Sequence, residues 1–126
     1  MIYVDTSSVL AELLGEPVQP KQALWSQPLI SSRLLEYEVW VRLHAYGYGA
    51  QHGDRARQLI GRITLLELSP EVLERAMQPF PRPVRTLDAL HLASVEYLRG
   101  RRVALSLSTL DARMREVAEQ LGVPLA

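Results

Sequence analysis

Ile2-Tyr3-Val4 opens the chain as a short β-branched and aromatic run that reads as a buried strand, and the apolar period changes directly after Asp5. Val9, Leu10, Leu13 and Leu14 recur at helical spacing, with Gly15 where a helix-ending glycine belongs. Glu16 to Pro20 holds two prolines and reads as a linker, Lys21 to Ser26 as a short helix, and Leu29-Ile30-Ser31 as a second strand. From Ser32, the stripe of Leu34, Leu35, Val39, Trp40, Leu43 and Tyr46 predicts a long helix closed by Gly47 and Gly49. Asp54 is expected to cap the next helix, which carries Ala56, Leu59 and Ile60.

Ile63 to Leu68 predicts a third strand, and Ser69-Pro70 a helix start with serine as cap and proline at the first helical position. Pro79-Phe80-Pro81-Arg82-Pro83 cannot be helical. Beyond it, an almost wholly apolar helix runs from Thr86 to Leu98, and a helix apolar all round belongs in the middle of the fold. Val103 to Leu107 is the next predicted strand. A last helix follows Asp111, with Leu110, Met114, Val117 and Leu121 on one face, and Val123-Pro124-Leu125 is expected to add a short terminal strand. Strands alternating with helices predict an α/β fold of three layers, a mainly parallel sheet of four or five short strands covered by helices on both faces. At 126 residues the chain is read as one domain, 1–126, because neither side of the proline-rich loop could bury a good core alone.

Composition removes several classes of chemistry. With no cysteine there is no disulfide framework, cysteine nucleophile or thiolate metal site, and the expected location is a reducing cytoplasm. No basic leader or membrane span is visible, so neither export nor membrane association is expected. Fourteen basic and fourteen acidic side chains cancel, which argues against a generic cationic nucleic-acid coat. The acids divide unevenly, into ten Glu and only four Asp: Asp5, Asp54, Asp88 and Asp111.

Three of those aspartates sit where an open parallel sheet gathers its functional groups, beyond the carboxyl ends of strands. Asp5 ends the first strand, Asp111 follows the fourth, and Asp88 lies in the first turn of the apolar helix. Each has an ordinary reading as well. Asp5 can cap a helix, Ser108 with Asp111 fits a capping box, and Asp88 can rest against a helix dipole. Together they favour a cluster, since a carboxylate at a buried strand end and another on an apolar helix cost desolvation unless a cation compensates. Glu36 and Glu38 compete for a fourth place, and two residues apart they point to different sides of the helix. Glu38 precedes Arg42 by four residues and so has an ordinary surface partner; Glu36 has none.

These residues resemble a known family. Val4-Asp5-Thr6-Ser7, Ser32-x-Leu34-x-x-x-Glu38, Thr86-Leu87-Asp88-Ala89-Leu90-His91-Leu92-Ala93 and Ser108-Thr109-Leu110-Asp111, in this order, resemble the PIN domain, and within it the VapC-type ribonuclease toxins. The likeness covers residues 2 to about 125. It implies an acidic quartet of Asp5, Glu38, Asp88 and Asp111, with Asp5, Asp88 and Asp111 as metal ligands, and it selects Glu38 over Glu36. It also implies a magnesium- or manganese-dependent endoribonuclease acting on a structured RNA such as transfer or ribosomal RNA, a cognate antitoxin protein and a homodimer.

The residues agree with that chemistry. Hard divalent ions prefer carboxylate oxygens, and an ion that activates water needs no side-chain nucleophile. The hydroxyls of Thr6, Ser7 and Thr109 are expected to orient the acids. His91, one turn after Asp88, reads as a packed, hydrogen-bonded residue, and Trp40 as core. With the quartet set aside, basic residues exceed acidic ones, which suits RNA; Arg82, Arg85, Arg99, Arg101 and Arg102 lie nearby in sequence. Rival enzymes fit less well: a phosphoaspartate D-x-D motif fails at Ser7, and no glycine-rich loop precedes a Lys-Ser or Lys-Thr pair. An inactive RNA- or protein-binding module on the same fold is the other reading.

Overall fold

In the computed structural model, which describes residues 1–126, strand polarity and side-chain alternation divide the core into two layers. The strands are β1 (Ile2–Val4), β2 (Leu29–Ser32), β3 (Ile63–Leu66) and β4 (Ser106–Ser108), all parallel in the order β3-β2-β1-β4. Ile2 pairs with Leu29 on one side and Ser106 on the other. The helices are α1 (Thr6–Leu14), α2 (Arg33–Ala45), α3 (Gly49–Ile60), α4 (Pro70–Ala76), α5 (Thr86–Gly100) and α6 (Ala112–Gln120), with a 3-10 turn at Gln22–Ser26.

Alternation along each strand sends successive side chains to opposite faces. Val4, Leu29 and Ile63 pack with Val9, Leu13, Leu35, Val39, Leu43, Leu59 and Ile60 of α1, α2 and α3. Tyr3, Ile30 and Leu107 pack on the other face with Leu92, Val95, Met114 and Val117 of α5 and α6. The three layers expected from the pattern are present, and α4 lies along α5.

The local signals mostly act as read. Ser69 caps α4 through the Val72 amide at 3.3 Å, and Gly15 ends α1 at a φ of +63° that favours glycine. Three expectations are corrected. Gly49 opens α3 instead of closing α2, so Asp54 falls inside the helix, exposed and paired with Arg57 at 2.9 Å, and caps nothing. The terminal segment contributes one bridge, Leu125 to Leu107, because Pro124 has no N–H with which to extend a ladder. Finally, β4 begins at Ser106 instead of Val103.

Chain order creates the site. From β1 the sheet grows through β2 to β3, then returns to place β4 on the other side of β1, so the winding reverses between β1 and β4. A crevice outside the carboxyl ends of such strands is where open α/β sheets bind ligands. Leu35 is fully buried in the layer that supports α2. Leu35→Ala should therefore cost about 2–5 kcal/mol in urea unfolding, whereas Val18→Ala in the exposed linker should cost less than about 0.5 kcal/mol.

Candidate active site

Asp5 leaves β1 at that reversal of winding and is 4% exposed. Its Oδ1 accepts from the Ser7 hydroxyl at 2.6 Å and the Ser8 amide at 3.2 Å, and its Oδ2 from the Thr109 hydroxyl at 2.5 Å. Helix capping and site assembly thus use the same carboxylate. The hydroxyls also fasten the loop after β4: Ser7 Oγ accepts from the Leu110 amide at 3.0 Å and Thr109 Oγ1 from the Asp111 amide at 3.1 Å. No full positive charge contacts Asp5, so burial pushes its carboxyl above the ordinary range, against the opposing pull of the Ser7 and Thr109 hydrogen bonds.

Glu38 arrives from α2 and places Oε1 2.8 Å from the Thr6 hydroxyl and 2.7 Å from His91 Nε2. Its carboxylate is therefore engaged inside the fold instead of pairing with Arg42, whose guanidinium donates to the Tyr46 hydroxyl. His91 is buried and bonded on both ring nitrogens, with Nδ1 2.8 Å from the Tyr3 hydroxyl. Burial also raises the Tyr3 phenol far above its usual value, so it stays protonated.

Asp88, in the first turn of α5, and Asp111, which caps α6 through the Met114 amide at 2.9 Å, meet at Arg85. Arg85 Nε lies 3.0 Å from Asp88 Oδ2 and Nη2 2.5 Å from Asp111 Oδ2. Chelation by these two carboxylates, Asp88 foremost, raises the already high pKa of the guanidinium. As the side chains stand, no three acidic or imidazole groups converge closely enough to hold one ion. The donor set is nonetheless that of a hard cation, all carboxylate oxygen, and two of its members already clasp a cation in Arg85. A divalent ion suits these residues once Arg85 yields its place.

Across this framework the PIN-domain profile matches residues 2–122. The chain belongs to the PIN-domain family. It is 33% identical over 128 residues to Ribonuclease VapC46 of Mycobacterium tuberculosis, covering 97% of this chain and 93% of that one. Ribonuclease VapC47 of the same species is 29% identical over 129 residues, with the same coverage. Among solved structures, a toxin-antitoxin complex from Klebsiella pneumoniae superposes with TM-score 0.63 at 22% identity, over 90% of this chain and 88% of that chain. Mycobacterium tuberculosis VapC20, described as a Sarcin-Ricin loop cleaving toxin, gives TM-score 0.62 at 17% identity over 92% and 94%. These last two likenesses speak for the fold.

Within this PIN domain the structure forms two hydrogen-bonded groups, Asp5 with Ser7 and Thr109, and Glu38 with Thr6 and His91, which meet at the Asp5–Thr6 peptide, and it joins Asp88 and Asp111 through Arg85. Glu36 lies outside, paired with Arg33 at 3.6 Å beside a groove of about 420 Å³ that Trp40 also lines. Trp40 is half-buried, not core, under Arg57 at 5.0 Å. Of the basic residues near the site in sequence, Arg82 is held by Glu116. Two contributors escaped the sequence reading: Arg85 as a bridge, signalled only by its place three residues before Asp88, and Tyr3, whose phenol looked like core.

Among these acids the electrostatic strain lies in Asp5, which is buried without a charged partner, whereas Asp88 has a guanidinium beside it. A carboxyl raised by folding contributes stability that is complete below its unfolded pKa, near 3.9, and is lost as pH rises through the higher folded value. In EDTA, Asp5→Asn should melt above the parent at pH 7 and lose that advantage near pH 4. Thermal melts across that range test this, and a variant less stable at pH 7 would contradict it.

Proposed function

We propose that this PIN domain is a toxin-type endoribonuclease dependent on Mg²⁺ or Mn²⁺, with Asp5, Glu38, Asp88 and Asp111 as its acidic residues. The carrying observation is how these acids are held: Ser7 and Thr109 bond to Asp5 at the end of β1, Thr6 beside it bonds to Glu38, and Arg85 bridges Asp88 and Asp111, which follows β4. The full-length similarity to two proteins named ribonucleases gives the reaction class its support. In this reading Asp5, Asp88 and Asp111 hold the ion.

A bound divalent ion would neutralise charge at the scissile phosphate and acidify the attacking water. Asp5 is held rigid by Ser7, Ser8 and Thr109, so it keeps its orientation in a crowded anionic pocket. Glu38, with Oε1 occupied by Thr6 and His91, has Oε2 for the proton lost by the nucleophile. Arg85 neutralises Asp88 and Asp111 when no ion is bound and is free to meet phosphate when one is. Outside the quartet, fourteen basic residues face ten acidic ones, which favours an RNA partner. The substrate we infer is a structured transfer or ribosomal RNA.

An antitoxin and a homodimer complete the reading. Tyr37, Val41, Tyr46 and Tyr48 are exposed on and after α2, and Leu73 and Met77 on and after α4, the kind of apolar surface that partners cover. The PIN fold without activity, as a binding module, remains the alternative to be tested.

Purified protein incubated with transfer and ribosomal RNA should cut at discrete positions with Mg²⁺ or Mn²⁺ and stop with EDTA. Asp88→Asn should lose about a hundredfold or more in rate, beyond the loss typical of residues that only orient a ligand. A folded Asp88→Asn that cuts like the parent would remove the assignment, and binding without cutting would favour the inactive module. Because Arg85 and the ion compete for two carboxylates, Arg85→Gln should bind Mn²⁺ more tightly in calorimetry. Unchanged affinity would mean that the guanidinium does not compete.

A further inference from the structure

We propose that His91 and Tyr3 form a positioning pair that fixes the Glu38 carboxylate, a role that rests on Glu38 belonging to the active site. The geometry defines the pair closely. His91 is 2% exposed and sits on α5, one turn after Asp88. Its Nε2 is 2.7 Å from Glu38 Oε1 and 3.3 Å from Thr6 Oγ1, while Nδ1 is 2.8 Å from the hydroxyl of fully buried Tyr3. The two rings meet edge to face at 5.9 Å.

Hydrogen-bond direction follows from the donor inventory. An ionised carboxylate only accepts, so the proton belongs on His91 Nε2. In a neutral ring Nδ1 is then bare, and the Tyr3 hydroxyl donates to it. The opposite tautomer would set two lone pairs against each other at 2.7 Å and leave Glu38 to Thr6 alone. Tyr3 thus selects the ring form that holds Glu38, as second partners do for histidines in metal centres.

The placement links the layers. Glu38 comes from α2 on one face of the sheet, His91 from α5 on the other, and Tyr3 from β1 between them. A glutamate has three side-chain torsions, and a lone hydroxyl from Thr6 leaves much of that freedom in place. His91 adds the second anchor on Oε1, so that Oε2 is the oxygen left free of these bonds. The strand that presents Asp5 therefore also sets Glu38, through a phenol two residues earlier.

The test uses the whole chain. A long-range ¹H–¹⁵N correlation spectrum in EDTA, assigned with His91→Gln, should show His91 as the Nε2–H tautomer near neutral pH. In metal-supported RNA cleavage, His91→Leu should lower kcat about 10–100-fold with KM for RNA little changed. His91→Gln keeps an amide N–H for Glu38 and should recover to within about threefold of the parent, despite lower stability from the lost Tyr3–His91 hydrogen bond. In a Glu38→Gln background, neither Tyr3→Phe nor His91→Leu should lower the rate further. Should His91→Leu fail to fold, the milder Tyr3→Phe carries the cycle with a loss of several-fold on its own. An Nδ1–H tautomer, equal losses in His91→Gln and His91→Leu, or additive losses over Glu38→Gln would each overturn the role. If Glu38→Gln cleaves like the parent, the fault lies in the catalytic reading of Glu38, and the positioning role falls with it.

Discussion

The carboxylate of Asp5 is buried at the end of the central strand with hydroxyl and amide donors around it and no guanidinium against it. Much of the site depends on how that one group is satisfied. Ser7 and Thr109 each donate to Asp5 and accept from the backbone after β4, so one anion sets the start of α1 and the path of the loop that carries Asp111. Beside it, Ser8 bonds to Ser108 at 2.9 Å and Ser31 to the Val4 carbonyl at 2.6 Å. Small hydroxyls can satisfy polar backbone at a sheet edge without filling the crevice that apolar side chains would close.

Two modes of charge compensation divide the acids. Asp5 is held by hydroxyl and amide donors, which fix direction but leave its negative charge uncancelled, and it responds with a raised carboxyl pKa, while Glu38 is held by Thr6 and His91. Asp88 and Asp111 share a largely solvent-facing arginine. The first mode suits groups that must not move. The second suits groups that exchange one cation for another, since a solvent-exposed ion pair holds its partners only weakly.

How far the sequence could be read follows from the range of each interaction. The alternation of Ile2, Tyr3 and Val4 and the helical spacing of Leu34, Leu35, Val39 and Leu43 report local geometry, and the layers followed from them. Asp54 misled because a capping residue is defined by where the helix begins, and α3 begins at Gly49. Glu38 misled because Arg42 offered a partner four residues away, while its actual partners, Thr6 and His91, are separated from it by 32 and 53 positions. Arg85 reaches Asp111 across 26 residues, and no local pattern announces such a bridge.

The sequence alone determined the parallel α/β architecture, the exclusion of thiolate chemistry and the acids worth following, because apolar periodicity and residue inventory act at short range or not at all in space. Only the tertiary structure decided that Glu36 lies on an outer groove, that a guanidinium stands between Asp88 and Asp111, and that Tyr3 reaches Glu38 through His91. Those are facts of strand order. Once β4 returns to the far side of β1, residues remote along the chain share one buried edge, and there each polar group must find its partner among whichever neighbours folding supplies.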